Sequence, residues 1–159
     1  MPRKKTKSLQ RKLMPDRKYN SVLVQRLINK VMLNGKKQVA ESAVYEAMEL
    51  AAKKLKAEEP LAVFEKAIKN VYPSMEVKSR RVGGANYQIP FPVSGHRQQH
   101  LAFMWFVQAA RSRKGVPIAQ RLAAEMVDSI NQTGSAFKKK EDTHKMAEAN
   151  RAFAHFART

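Results

Sequence analysis

The histidines and the cations are the residues of this chain that can do chemistry. His96 and His100 stand four apart, the spacing at which a helix sets two imidazoles on one face, as zinc-protease helices do. That reaction needs a glutamate directly after the first histidine. Arg97 stands there instead, and a cation beside a metal repels it. No metal site is predicted, and His144 and His155 are read as surface or RNA-facing groups. The chain has no cysteine, which removes thiolate ligands, a thiol nucleophile and disulfides. It carries no Gly-x-Gly-x-x-Gly run, no P-loop and no paired carboxylates in an apolar pattern. The reading is of a protein with no catalytic residue, cofactor or small-molecule substrate, and not an enzyme.

The cations are the stronger signal. Against 13 Asp and Glu stand 31 Lys and Arg, for a net charge of +18. Such an excess repels itself unless counter-charge is near, so the predicted partner is a polyanion. The charge is also patterned. From Val77 to Ala124 there is no acidic residue, while that window holds Lys78, Arg80, Arg81, Arg97, Arg111, Arg113, Lys114 and Arg121. Residues 1–18 carry Arg3, Lys4, Lys5, Lys7, Arg11, Lys12, Arg17 and Lys18 against a single Asp16. Lys36 and Lys37 follow a turn, Lys138, Lys139 and Lys140 form a run, and Arg151 lies near the end. Arginine offers a phosphate two parallel N–H donors and lysine a mobile point charge. Such contacts supply affinity and salt dependence more than sequence reading. No helix-turn-helix, zinc finger or heptad zipper is evident, so folded RNA is favoured over duplex DNA.

Few elements are needed to position these groups. The chain reads as mainly α: a bundle of about six helices, one protruding two-stranded β-hairpin and a disordered basic N-terminal arm. Residues 1–18 are the arm, and residues 19–159 form one helical domain that includes the hairpin arm at 75–93. Helix patterns run from about Ser21 to Leu33 and from Lys37 to Leu55, the latter with Val39, Ala43, Ala47, Leu50 and Ala51 on its inner face. A third opens at Pro60 and ends before Pro73. Ser94 caps a fourth that reaches about Arg113, with Trp105 in the core. Pro117 opens a fifth, and a sixth spans roughly Ser135 to Phe156. No apolar run approaches the ~20 residues of a membrane span. The basic N-terminus lacks the apolar stretch of a secretory signal.

The hairpin stands apart in this helical pattern. A two-residue Gly83-Gly84 turn pairs Val82 with Ala85 and Arg80 with Tyr87. Alternation then puts Pro90 and Pro92 at non-hydrogen-bonded positions, where a missing N–H costs nothing and the outer edge is closed. Tyr87 is read as packing near the hairpin root, with base stacking or a cation–π contact to Arg80 as the sharper alternatives. A lone hairpin is marginal in water, so it is predicted to rest on something else.

The run Arg80-Arg81-Val82-Gly83-Gly84-Ala85-Asn86-Tyr87-Gln88-Ile89-Pro90 closely resembles the signature of the small-subunit ribosomal protein seven family. So does the run from Lys145 to His155, together with Met1-Pro2-Arg3-Lys4 and Asn34-Gly35-Lys36-Lys37. The resemblance covers nearly the whole chain and suits the bacterial or organellar form. It implies a protein of the cytoplasmic or organellar ribosome. Such a protein binds the 3′ major (head) domain of small-subunit ribosomal RNA, nucleates head assembly and lies at the mRNA exit path. It also implies that Arg80, Arg81, Val82, Gly83, Gly84 and Tyr87 face exit-site transfer RNA and mRNA. Lys36, Lys37, Arg97, Arg111, Arg113 and Lys114 become candidates for ribosomal RNA, and ribosomal proteins nine and eleven become neighbours. Two other classes remain. One is a DNA-compacting architectural protein. The other is an RNA-modifying enzyme, for which the sequence offers neither a cofactor loop nor a catalytic acid.

Overall fold

The computed structural model describes residues 13–157. Its elements follow in the order α1 (Val22–Val31), α2 (Lys37–Leu55), α3 (Pro60–Val71), β1 (Met75–Val82), β2 (Ala85–Pro92), α4 (Gly95–Ser112), α5 (Ile118–Ile130) and α6 (Ser135–Ala149), and a 3-10 helix, Arg151–Ala157, comes last. The mainly helical architecture and the single hairpin are as the sequence predicts. Asn34 (φ 51°) and Gly35 (φ 74°) take the left-handed conformation that separates α1 from α2. Pro60 sits in the first turn of α3, where its missing N–H is harmless.

Helix α5 lies at the centre, against α2, α3 and α4. Leu27, Ile28, Val44, Met48, Phe64, Ile68, Phe106, Leu122 and Met126 are fully or almost fully buried. Burial of each such side chain stabilises the fold by about 1.5–3 kcal/mol before entropy is counted. Phe64 and Phe103 stack with ring centroids 6.4 Å apart, and Trp105 lies in the same core. Among the described residues no helix is long and apolar enough to cross a membrane.

Four expectations change. On the inner face of α2, Ala43, Ala47 and Ala51 are buried and Leu50 packs against the core as predicted, but Val39 does not. Ala40, Ala43, Val44, Ala47, Met48, Ala51 and Ala52 are buried, while Val39 is 66% exposed. Ser94 occupies the N-cap position of α4, but its side chain makes no capping bond; only its carbonyl receives Gln98 N–H, at 2.8 Å. The sixth helix stops at Ala149. Asn150 turns its side chain back onto Met146 O at 2.8 Å, and the chain tightens into the 3-10 helix.

The fourth change is at the arm. The stretch from Asp16 to Lys18 is not a free tail. Asp16 is 2% exposed and accepts N–H bonds from Lys18 (3.1 Å), Tyr19 (2.8 Å) and Ser21 (2.8 Å), and an O–H bond from Tyr45 (3.2 Å). Lys18 pairs with Glu49 on α2 and lies over the Tyr19 and Tyr45 rings. The folded part therefore begins before residue 18. Arg3, Lys4, Lys5, Lys7, Arg11 and Lys12 lie outside the described residues.

Candidate nucleic-acid interface

The hairpin has the predicted register, from Met75 opposite Pro92 to Val82 opposite Ala85, with Arg80 opposite Tyr87. Gly83 (φ 56°) and Gly84 (φ 92°) both take positive φ, the geometry of the two-residue turn that matches strand twist. Arg80, Arg81, Gly83 and Gly84 are exposed at the tip, and Val82 and Tyr87 are half-buried. Strand β1 packs on α6, and β2 packs on the 3-10 helix. So the hairpin's support is the chain's own C-terminal segment. Tyr87 lies 5.1 Å from Phe153 and 5.5 Å from Phe156 by ring centroids. Arg80 donates to Phe156 O at 3.1 Å. At the root, Ser74 N–H donates to His144 Nε2 at 3.0 Å. That bond needs a neutral ring, and burial together with Lys140 pushes the His144 pKa down. His144 thus serves the fold at the hairpin root, which corrects its reading as a surface group.

The acid-free window is bracketed by Glu76 and Glu125, and both are buried. Glu76 receives Arg97 Nε at 3.0 Å and Lys78 Nζ at 2.8 Å. Burial alone would raise its pKa; the bonds from Lys78 and Arg97 outweigh burial and hold it below the usual carboxylate value. Glu125 is fully buried. It accepts from Arg113 Nε (3.1 Å) and Nη2 (2.6 Å), and its other oxygen accepts Ala136 N–H at 2.9 Å. Arg113 also reaches Asp128 at 2.5 Å. These acids bind inward and pair with Lys78, Arg97 and Arg113.

Several predicted contacts therefore have internal partners. Arg113 is held by Glu125 and Asp128, and Arg97 and Lys78 by Glu76. Arg111 donates to Lys30 O and Val31 O at the end of α1. Arg121 donates to Arg113 O at 2.8 Å, and Lys140 to Asn70 O at 2.8 Å. Lys37 lies 3.9 Å from Glu41. Lys36, Arg81, Lys114, Lys138, Lys139 and Arg151 are exposed and enter no ion pair among the described residues. The structure brings Lys36, Arg111 and Arg121 together around one cavity of about 450 Å³, floored by Ala40, Ala43 and Ile118. Arg151 lines another, with Ser74, Pro90 and His144 at the hairpin root.

Residues 2–151 match the family described as Ribosomal protein S7p/S5e. Three curated relatives are named small ribosomal subunit protein uS7. That of Chloroflexus aggregans is 55% identical, over 93% of this chain and 94% of its own. That of Dictyoglomus thermophilum is 57% identical, over 92% and 93%. That of a Roseiflexus species is 53% identical, over 99% of each. The chain belongs to the S7p/S5e family. This is a family of ribosomal proteins and not of enzymes, and its bacterial members are cytoplasmic.

Within this S7p/S5e chain, sequence reasoning missed one cationic feature. Arg26 and Lys30, on the polar face of α1, line a groove with His96 and His100 of α4. Arg26 donates to Gln99 Oε1 across that groove, which joins α1 to α4. The signal was present as two basic residues four apart beside a histidine pair with the same spacing. Among the described residues no group of His, Asp and Glu is placed to hold a metal ion.

Proposed function

We propose that this chain is a structural constituent of the small ribosomal subunit that binds the 3′ major (head) domain of its ribosomal RNA directly and nucleates head assembly. Membership of the S7p/S5e family over residues 2–151 carries this reading. The excess of 31 Lys and Arg over 13 Asp and Glu supports it, because it leaves a net cationic surface for phosphate. In this reading the ribosomal RNA meets Lys36, Lys37, Lys114, Lys138, Lys139 and Arg151 together with the N-terminal cations. Arg97, Arg111, Arg113, Arg121, Lys78 and Lys140 act mainly by shaping that surface. The hairpin tip, Arg80 to Gly84 with Tyr87 behind it, faces exit-site transfer RNA and mRNA. Ribosomal proteins nine and eleven are its neighbours. The N-terminal cations ahead of Asp16 form the RNA-binding arm, and the chain from Asp16 onward is one domain.

The test is co-sedimentation of purified protein with small subunits lacking it, through a high-salt gradient. Footprinting on isolated 3′ major domain RNA and on duplex DNA at equal salt accompanies it. Protection confined to the RNA is expected. Equal protection of duplex DNA favours the architectural DNA-binding alternative, and failure to co-sediment overturns the ribosomal assignment.

A further inference from the structure

The groove between α1 and α4 has a composition that phosphate binding alone does not require. It encloses about 260 Å³. That is smaller than the ~300–1,000 Å³ of drug-sized pockets, and it suits a single ring system with its sugar. Arg26 and Lys30 supply charge on one wall; His96, Gln99 and His100 form the other, with Asn29 between. Phe103 forms the floor; it is 2% exposed and held by its stack on Phe64. No acidic residue lines the groove. Two of the polar groups are already oriented, Arg26 by Gln99 and Asn29 by Gln25 Nε2 at 3.1 Å. Burial, Lys30, Arg97 and His96 all push His100 toward its neutral form, so at neutral pH it presents a flat, uncharged ring. Flat rings beside amide edges, with cations at the mouth, are how proteins hold an unstacked base and its phosphate.

We infer that the α1–α4 groove is a pocket for one unstacked RNA nucleotide, its base against His96, His100 and Phe103 and its phosphate on Arg26 and Lys30. This rests on the RNA-binding reading above but adds a base-binding site to it. The pocket is tested on the full-length protein with free 5′-mononucleotides as probes and ribose 5-phosphate as the base-less control, followed by NMR. Saturable shifts of the His96, His100 and Phe103 resonances are expected with at least one nucleotide, with ribose 5-phosphate binding about tenfold or more weaker. His100→Ala should weaken nucleotide binding, while Lys54→Ala, at an exposed position on α2, should not. Equal binding of nucleotide and ribose 5-phosphate would make the groove a phosphate cradle and overturn the proposal, as would the absence of saturable shifts. Binding to 3′ major domain RNA is measured on the same samples. If that fails while nucleotides still bind, the ribosomal reading falls and the pocket stands. If RNA binding holds without nucleotide binding, only the pocket falls.

Discussion

Glu125→Gln preserves shape, removes the charge and exchanges one acceptor oxygen for an NH2 donor, so it probes what the buried carboxylate does. Glu125 serves two elements at once: Arg113, from the loop before α5, and the first turn of α6 through Ala136 N–H. A glutamine has one acceptor oxygen. Turned toward Arg113, it sets its NH2 against Ala136 N–H; turned toward Ala136, it sets two donors against the guanidinium. Either orientation leaves a buried donor without an acceptor, which costs about 1–3 kcal/mol, and weakens charge-assisted bonds of about 1.5–3 kcal/mol. Breaking a buried ion pair typically costs about 3–5 kcal/mol. Arg113 is part-exposed and keeps Asp128, so the expected loss is near the lower end, about 3 kcal/mol. For a domain of this size that lowers Tm by roughly 6–12 °C. Thermal and urea unfolding followed by circular dichroism measure the loss. Hydrogen exchange should quicken first at the start of α6. Asp128→Asn, at a carboxylate 36% exposed, should cost about 1 kcal/mol or less. If Glu125→Gln stays within about 1 kcal/mol of the parent, the claim that this carboxylate pins α6 is wrong.

Affinity for 3′ major domain RNA should fall with salt at a summed slope of at least about −4 in log K against log salt; a slope near zero would remove the electrostatic argument. The folded pKa of Asp16 lies below its unfolded value, because its N–H and O–H bonds outweigh burial. Its stabilisation is therefore complete above about pH 4 and lost as pH falls through the folded value, and Asp16→Asn should flatten that limb of an acid-unfolding curve. His144 is also lowered, which for histidine means stability lost as pH falls below about 6.5; a protection factor at Ser74 N–H that falls from pH 8 to pH 5, after division by the intrinsic base-catalysed rate, would show it, and an unchanged protection factor would not fit. Removing Lys78 to Gln88 through a short turn should spare the helical core and incorporation into subunits while impairing exit-site transfer RNA retention or reading frame. Loss of incorporation with normal translation in whatever subunits form would make the hairpin an assembly element instead.

Where a local signal decided the outcome, the sequence was readable. The ends of α2 and α3 follow from Asn34-Gly35, Pro60 and Pro73, because left-handed residues and prolines constrain the backbone whatever surrounds them. The hairpin register follows from Gly83-Gly84 and is confirmed by both prolines falling where no ladder N–H is needed. What failed depended on tertiary partners. Val39 belongs to an apolar row as good as that of Ala40, and only the placement of neighbouring helices chooses between them. Arg113 reads as one more exposed cation until Glu125 and Asp128 are seen beside it. Likewise, nothing local says that Tyr87 meets Phe153 and Phe156, far along the chain. The break at Asn150 was legible in principle, since asparagine favours helix ends, but the apolar pattern beyond it masked the stop.

Three of the thirteen acids are buried, and each sits at a joint of the fold. Asp16, Glu76 and Glu125 are each at most 7% exposed, and each ties together parts of the chain that helix packing alone leaves separate. Asp16 folds the entry to α1 against Tyr45 of α2, Glu76 joins the hairpin root to Arg97 of α4, and Glu125 joins the α4–α5 loop to α6. A carboxylate on the surface would neutralise phosphate-binding charge nearby. A buried one uses that charge as cohesion between elements. Gly134 shows how closely one of these joints is fitted. A Cβ there would lie 2.8 Å from Glu125 Oε1 and 3.2 Å from Asp128 Cβ, although its φ of −69° suits any residue. The requirement for glycine is therefore one of space and not of backbone conformation. Gly134→Ala should destabilise the same α6 joint as Glu125→Gln, and the two changes together should cost less than their sum, because each disturbs the same carboxylate. Additive losses in the double mutant would show that the glycine and the glutamate act independently.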